Sequence, residues 1–141
     1  MINAKSVALA AAFIGLMVQS SLAEEPFNLV GTWKGVSSPI FIGSTGHFTA
    51  DNSGVNWGKE TELMLVFEEQ RGNDFVGKRV SKNRSEQFIG SISPNNKDII
   101  LVDEEGTAIM TVVDENTIDN CYSHVTAEKR FASCWVLRRV K

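Results

Sequence analysis

Residues 117–140, TIDNCYSHVTAEKRFASCWVLRRV, decide the fold. Both arms of this stretch, residues 117–123 and 131–140, alternate side chains with a period of two, which is typical of half-buried strands. If Cys121 faces Cys134 across an antiparallel pair, then Asn120 faces Trp135 and Ile118 faces Leu137. One face then carries Ile118, Tyr122, Phe131, Trp135 and Leu137, and the other carries Asp119, both cysteines, Val136 and Arg138. The stretch therefore predicts a hairpin with an apolar inner face and its cysteines outside.

The same alternation extends back along the chain in short runs, separated by turn-forming Gly, Asn, Asp and Pro. The predicted strands cover residues 30–37, 61–69, 74–81, 86–93, 98–102, 107–113, 117–123 and 131–140. Eight consecutive strands joined by tight turns favour an up-and-down meander, and closing it into a barrel removes its exposed edges. We expect an all-β, eight-stranded antiparallel up-and-down barrel. A two-sheet sandwich is also compatible with this pattern.

The N-terminus has the three-part pattern of a secretory signal. Lys5 precedes an uncharged run over residues 7–18, and small residues, Ser21 and Ala23, stand at the positions that a signal peptidase reads. The run is too short to span a bilayer of about 30 Å. We expect cleavage after Ala23, with residues 1–23 as signal peptide and 24–141 as one domain. An uncleaved membrane anchor is the alternative interpretation.

Composition limits the partners of the expected mature chain. Residues 24–141 hold 13 Lys and Arg against 17 Asp and Glu, a formal net charge of −4, which disfavours nucleic acid. No second run approaches membrane length, so we expect no membrane association after cleavage. We expect a periplasmic or secreted protein, in which two cysteines predict a structural disulfide, Cys121–Cys134. Closing this loop should stabilise the folded state by about 3 kcal/mol.

The opening strand contains Gly31-Thr32-Trp33, and it resembles the first strand of the calycins, the barrel superfamily of lipocalins, fatty-acid-binding proteins and avidins. In lipocalins this Trp closes one barrel end under an Arg from the last strand. The resemblance implies the same structural pair here, Trp33 and Arg139, because Arg139 shares the inner face of its strand. Cation–π stacking supplies the physical reason.

Other calycin features are missing from this sequence. It lacks the helical lid of fatty-acid-binding proteins, the middle Thr-Asp-Tyr motif of lipocalins and the Trp series of an avidin site. The resemblance therefore implies a barrel and not a particular ligand. Small exported inhibitors of lysozyme or of metalloproteases are also similar in layout.

Catalytic patterns are absent, and we expect no enzyme, no cofactor and no metal. The two histidines, His47 and His124, stand alone, and neither a nucleophile elbow nor a zinc pair accompanies them. We expect His47 to be solvated in its loop. The acidic residues 103–105, like those at 68–69 and 114–115, are expected at solvated strand ends and hairpin tips, with no calcium-loop spacing.

Strand parity instead predicts a pocket inside the barrel. Phe75 with Gly77, and Phe88 with Gly90, place an aromatic residue and a glycine on one face, making room for a neighbour's ring or for a ligand. Arg79 shares that face, and with Asn120 and Tyr122 it would form a polar cluster. Such a cluster serves either a ligand or the internal hydrogen bonding of the barrel.

A long segment, residues 43–60, interrupts the strand rhythm and is rich in Gly, Ser, Thr and Asn, with Trp57 embedded. Loops of this length are typically functional or disordered, and the aromatic residues indicate that part of it docks on the barrel. We expect it over the barrel mouth, with an irregular ninth strand over residues 47–50.

These observations favour an exported barrel that binds a small, partly apolar ligand. The candidate ligand-binding residues are Trp57, Phe75, Arg79, Phe88, Asn120 and Tyr122. The alternative is a protein-interaction module, such as an inhibitor of an extracytoplasmic enzyme. A cavity of several hundred Å³ would favour the first, and a filled barrel with an exposed apolar patch would favour the second.

Overall fold

The structure is a computed structural model that describes residues 24–82 and 84–141. The predicted signal peptide, residues 1–23, lies outside the described residues. The described chain is built from β1 (Gly31–Ser37), β2 (Ile40–Ile42), β3 (Asn56–Trp57), β4 (Thr61–Arg71), β5 (Asp74–Val80), β6 (Ser85–Ile92), β7 (Asp98–Asp103), β8 (Thr107–Asp114), β9 (Thr117–Val125) and β10 (Arg130–Arg139). No helix in these two ranges has the length and apolarity needed to span a bilayer.

Eight of the strands form a closed antiparallel barrel. β4 to β10 pair in chain order, β1 pairs with β4, and β1 also pairs with β10, which closes the ring. The predicted eight-stranded up-and-down barrel is therefore confirmed. Every inner row alternates with an outer row, as the two-residue period requires.

Two short strands lie beside the barrel and were not predicted. β2 pairs with β10 beyond β1, and β3 pairs with β2. Trp33 faces Arg139 and Ile42 faces Arg130. The two pairs are nine residues apart on both strands, so β1 and β2 pair with β10 in the same register. β1 and β2 thus act as one strand interrupted near Pro39.

The last hairpin has the predicted register. Cys121 faces Cys134, Asn120 faces Trp135 and Ile118 faces Leu137. The disulfide is formed, with 4.0 Å between the two Cα atoms, and both cysteines are exposed on the outer face. The predicted disulfide is confirmed.

One end of the barrel is closed by Trp33. Its side chain is wholly buried, and its indole N–H donates to the backbone oxygen of Leu29 at 2.9 Å. The guanidinium of Arg139 lies over the ring, 4.2 Å from the centroid, and donates to the carbonyl oxygens of Val30 and Asn28. Phe27 packs at the same end, 6.3 Å from the ring of Trp33.

The middle of the barrel is filled by three phenylalanine rings. Phe67 lies 5.2 Å from both Phe75 and Phe88, in edge-on geometry. A Cβ at Gly90 would stand 2.3 Å from the ring of Phe75, and one at Gly77 would stand 2.6 Å from that of Phe88. The inner-face glycines therefore make room for neighbouring rings, one of the two uses expected for them.

Candidate functional site

The other end, the mouth, is covered by residues 44–50, called the cap below. An antiparallel meander brings the β5–β6, β7–β8 and β9–β10 turns to this end. The cap contains no strand, so the expected irregular strand over residues 47–50 is wrong. Residues 45–48 form a tight turn instead, in which the amide of Thr45 donates to the carbonyl oxygen of Phe48 at 2.8 Å.

Phe48 inserts the cap into the mouth. Its side chain is buried, and its ring lies 5.4 Å from that of Phe131 and 6.0 Å from that of Phe41. Beside it, the amide of Gly46 donates to both carboxylate oxygens of Glu105 at 3.1 Å. The cap is thus tied to the barrel by one ring and by side-chain hydrogen bonds.

His47 is the second tie between cap and barrel. Its Nδ1 lies 2.6 Å from the hydroxyl of Ser81, and its Nε2 lies 2.9 Å from a carboxylate oxygen of Glu86. An ionised carboxylate only accepts, so Nε2 carries the proton that it donates. Only 5% of the His47 side chain is exposed. The expectation that His47 is solvated is wrong, because a buried acid on β6 provides its partner.

Glu86 links this histidine to a surface arginine. Its side chain is 1% exposed, and its other carboxylate oxygen lies 2.6 Å from Nε of Arg84. Arg84 also faces the exposed Glu104 at 3.6 Å. Glu86 lies opposite Arg79 on the inner face. Two buried acids, Glu86 and Asp103, therefore converge here with the two arginines.

Arg79, Asp103 and Tyr122 form a buried polar triad under the cap. Nη1 of Arg79 lies 2.5 Å from Asp103 Oδ2, the hydroxyl of Tyr122 donates to Oδ1 at 2.8 Å, and the guanidinium stacks 4.0 Å from the tyrosine ring. Burial raises the pKa of Tyr122 well above its ordinary value. Of the cluster predicted from Arg79, Asn120 and Tyr122, the structure brings Arg79 and Tyr122 together.

Asp103 contradicts the expectation of a solvated hairpin tip. Its side chain is wholly buried, and Oδ1 also accepts from the amides of Glu105 and Gly106 at 3.0 and 2.8 Å. The carboxylate therefore shapes the β7–β8 turn and neutralises Arg79 at once. Glu104, in contrast, is exposed as expected.

A small cavity of about 10 Å³ lies between the cap and the triad, enough for roughly one water molecule. Its lining includes Phe48, Leu63, Arg79, Phe131 and Trp135. Among the residues that the structure describes, Arg79 Nε and Trp135 Nε1 are buried N–H donors with no hydrogen-bond partner. Both side chains line the cavity, and because buried donors are nearly always paired, the two unpaired donors favour an acceptor near this place.

The other predicted ligand-binding residues lie apart from this cavity. Phe75 and Phe88 belong to the phenylalanine layer below it. Asn120 faces Trp135 across the hairpin, buried, and neither its amide nitrogen nor its oxygen has a partner within the described chain. Trp57 is outside the barrel on β3, with 79% of its surface exposed. Sequence parity missed His47, Glu86 and Asp103, whose partners come from distant segments.

The outer surface carries apolar side chains on neighbouring strands. Ile89 faces Val102, and Ile100 faces Ile109, across β6, β7 and β8. All four are exposed.

In the described ranges no group of three or more His, Cys, Asp or Glu side chains is arranged to hold a metal ion.

Comparisons with known proteins define the class of this chain through its fold. No family model and no curated protein matches the sequence. A redesigned β-barrel superposes with a TM-score of 0.50 over 80% of this chain and 92% of its own, at 10% identity. The S-type phycobiliprotein lyase of Guillardia theta matches 80% of this chain and 89% of its own, at 12% identity and a TM-score of 0.38. The chain is a small β-barrel protein.

Proposed function

We propose that the protein is an exported, calycin-type barrel that binds a small, partly apolar ligand at the mouth. The observation that carries this proposal is the pair of unpartnered donors, Arg79 Nε and Trp135 Nε1, on the wall of a cavity otherwise lined by apolar rings. A few convergent polar groups in an apolar lining are the usual composition of a ligand site. The proposal assigns binding, and not catalysis, to the mouth.

Binding at the mouth requires the cap to move. Ligand pockets for drug-sized molecules measure about 300–1,000 Å³, whereas the closed cavity measures about 10 Å³. Phe48 occupies the intervening space, and the cap makes no strand pairing that its displacement would break. We therefore expect ligand binding to be coupled to withdrawal of Phe48.

The export and calycin parts of the proposal have separate support. The N-terminal signal pattern and the Cys121–Cys134 disulfide favour an oxidising compartment outside the cytoplasm. The contact between Trp33 and Arg139 is the one that the calycin resemblance implies. Intact mass of the protein from the extracytoplasmic fraction should match a disulfide-bonded chain starting at Glu24. A chain that retains residues 1–23 would contradict the export step.

Native mass spectrometry of the protein from its own source tests the binding site. We expect a co-purifying small molecule on the wild type and on Trp57→Phe, and its loss from Trp135→Phe, which keeps an arene but removes the indole donor. Trp57→Phe is the matched control because it removes an exposed indole that does not line the cavity. Absence of any small molecule from the wild type, or equal retention by both variants, would overturn the proposal.

A second candidate function rests on Trp57. β3 is the last strand of the sheet, so one of its edges has no neighbour among the described residues, and Trp57 stands there beside Ile40. An extended segment of a partner protein could add to this edge, with Trp57 as the anchor. In the same experiment, this function predicts a protein partner that Trp57→Ala loses and Trp135→Phe keeps. The filled interior of the barrel also favours it.

A further inference from the structure

The ring contacts of Phe48 indicate what kind of ligand fits at the mouth. The cap inserts one aromatic ring, Phe48, between Phe41 and Phe131, with centroid separations of 6.0 and 5.4 Å. Phe131 is itself 5.7 Å from Tyr122. A ring-bearing ligand that replaces Phe48 would thus enter an existing aromatic nest and recover the same contacts.

Among the described residues that line the cavity, the buried side-chain atoms without a hydrogen-bond partner are both donors. Arg79 Nε and Trp135 Nε1 each carry one N–H and cannot accept. The acceptor atoms nearby are already engaged: Asp103 Oδ1 accepts from Tyr122 and two amides, and Oδ2 lies against Arg79. A ligand must therefore bring its own acceptor, such as a carbonyl or hydroxyl oxygen.

Beside the cavity, the buried charges of the described residues are already paired. Asp103 balances Arg79, and Glu86 lies against Arg84 and His47. Glu105, held against the cap amide of Gly46, and the exposed Glu104 add further negative charge. A carboxylate ligand would meet like charge, and an ammonium group, which carries no acceptor, would leave the N–H donors of Arg79 and Trp135 unpaired.

We propose that the mouth selects an uncharged aromatic molecule bearing a carbonyl or similar oxygen acceptor, with the ring in the place of Phe48 and the oxygen facing Arg79 Nε and Trp135 Nε1. This inference rests on the proposed function, because it specifies the ligand of the same site. The specificity arises from donors without partners and from arginines that are already neutralised.

Three matched probes test the inference: phenylacetamide, phenylacetate and 2-phenylethylammonium. They share a phenyl ring and differ in charge. The readout is the indole N–H signal of Trp135 in nitrogen–proton spectra of the oxidised protein. It is distinguished from Trp33, which donates to Leu29, and from the exposed Trp57 by Trp→Phe variants. Phe48→Ala, in which the ring space is already open, is titrated in parallel.

Phenylacetamide should move the Trp135 signal downfield and bind about tenfold more tightly than either charged probe, with a further gain in Phe48→Ala. Tighter binding of phenylacetate or of the ammonium probe, with the Trp135 signal responding, would overturn the ligand class while supporting the site. If no probe moves the Trp135 signal in either protein, the site itself fails, and the inference with it.

Discussion

The guanidinium of Arg139 covers the buried indole of Trp33 at 4.2 Å and ties it to the chain before β1 through the carbonyl oxygens of Val30 and Asn28. Arg139→Ala removes the cation–π contact and these hydrogen bonds together. We expect the free energy of unfolding to fall by about 2 kcal/mol. Urea unfolding followed by tryptophan fluorescence measures the loss.

The adjacent Arg138 provides the control for this substitution. It lies on the outer face and bonds to Thr117, so Arg138→Ala should cost less than about 1 kcal/mol. Equal losses for the two alanine variants would show that the stacked position of Arg139 has no special role at the closed end.

Removing Asp103 should destabilise the barrel more than removing any exposed acid. Asp103→Ala leaves the guanidinium of Arg79, 4% exposed, without its counter-charge, which typically costs about 3–5 kcal/mol. Glu104→Ala, at the neighbouring exposed position, is the control and should be nearly neutral.

The double variant Arg79→Met, Asp103→Leu separates the charge effect from packing. Replacing both charges with apolar groups of similar size should recover the part of the loss in Asp103→Ala that comes from the unpaired charge. It should not recover the part that comes from the Tyr122 hydroxyl and the two turn amides, which still lack their acceptor. A double variant as unstable as the single one would mean that the triad is required for its geometry and not for charge balance.

The pH dependence of stability should report the burial of Tyr122. Its pKa is raised in the folded state by desolvation, so the unfolded chain loses this proton first, at a pH of about 10. Unfolding then releases a proton, and the free energy of unfolding should decrease by up to about 1.4 kcal/mol per pH unit above that point. Below about pH 10, Tyr122 is protonated in both the folded and the unfolded state, and its titration does not change the free energy of unfolding.

Tyr122 is the sole tyrosine of the chain, so phenolate absorbance reports it alone. At about pH 11 the folded protein should show little phenolate absorbance, and urea should release it. Tyr122→Phe should lose this component of the alkaline decline. An ordinary titration of Tyr122 in the folded protein would contradict its burial.

Much of the barrel could be predicted because side-chain parity is local information. Cys121 and Cys134 fix the register of β9 on β10, and the inner rows of the other strands follow from their alternation. The ring of Phe75 packs against Gly90 and the ring of Phe88 packs against Gly77. Room for a neighbouring ring was one of the two roles predicted for these glycines. The structure shows packing in both places.

The mouth could not be predicted to the same extent, because its contacts join distant segments. His47 meets Glu86 across 39 residues, and Gly46 meets Glu105 across 59. An acidic residue at a strand end is predicted to be solvated unless the segment that covers it is known. For this reason Asp103 was predicted to be exposed although it is buried. β2 and β3 were missed because strands of three and two residues show no measurable alternation.

The disulfide offers a prediction about what holds the barrel together. Cys121 and Cys134 link strands that already pair along their whole length, so the link adds no new contact to the folded sheet. Its effect should fall on the unfolded chain, where a loop with a sequence separation of 13 is no longer closed. We expect the double variant Cys121→Ser, Cys134→Ser to lose about 3 kcal/mol in urea unfolding. Both side chains lie outside, so the Trp135 indole signal and the far-ultraviolet circular dichroism should stay the same. A displaced Trp135 signal would instead show that the disulfide shapes the inner face, because Trp135 follows Cys134 directly on β10.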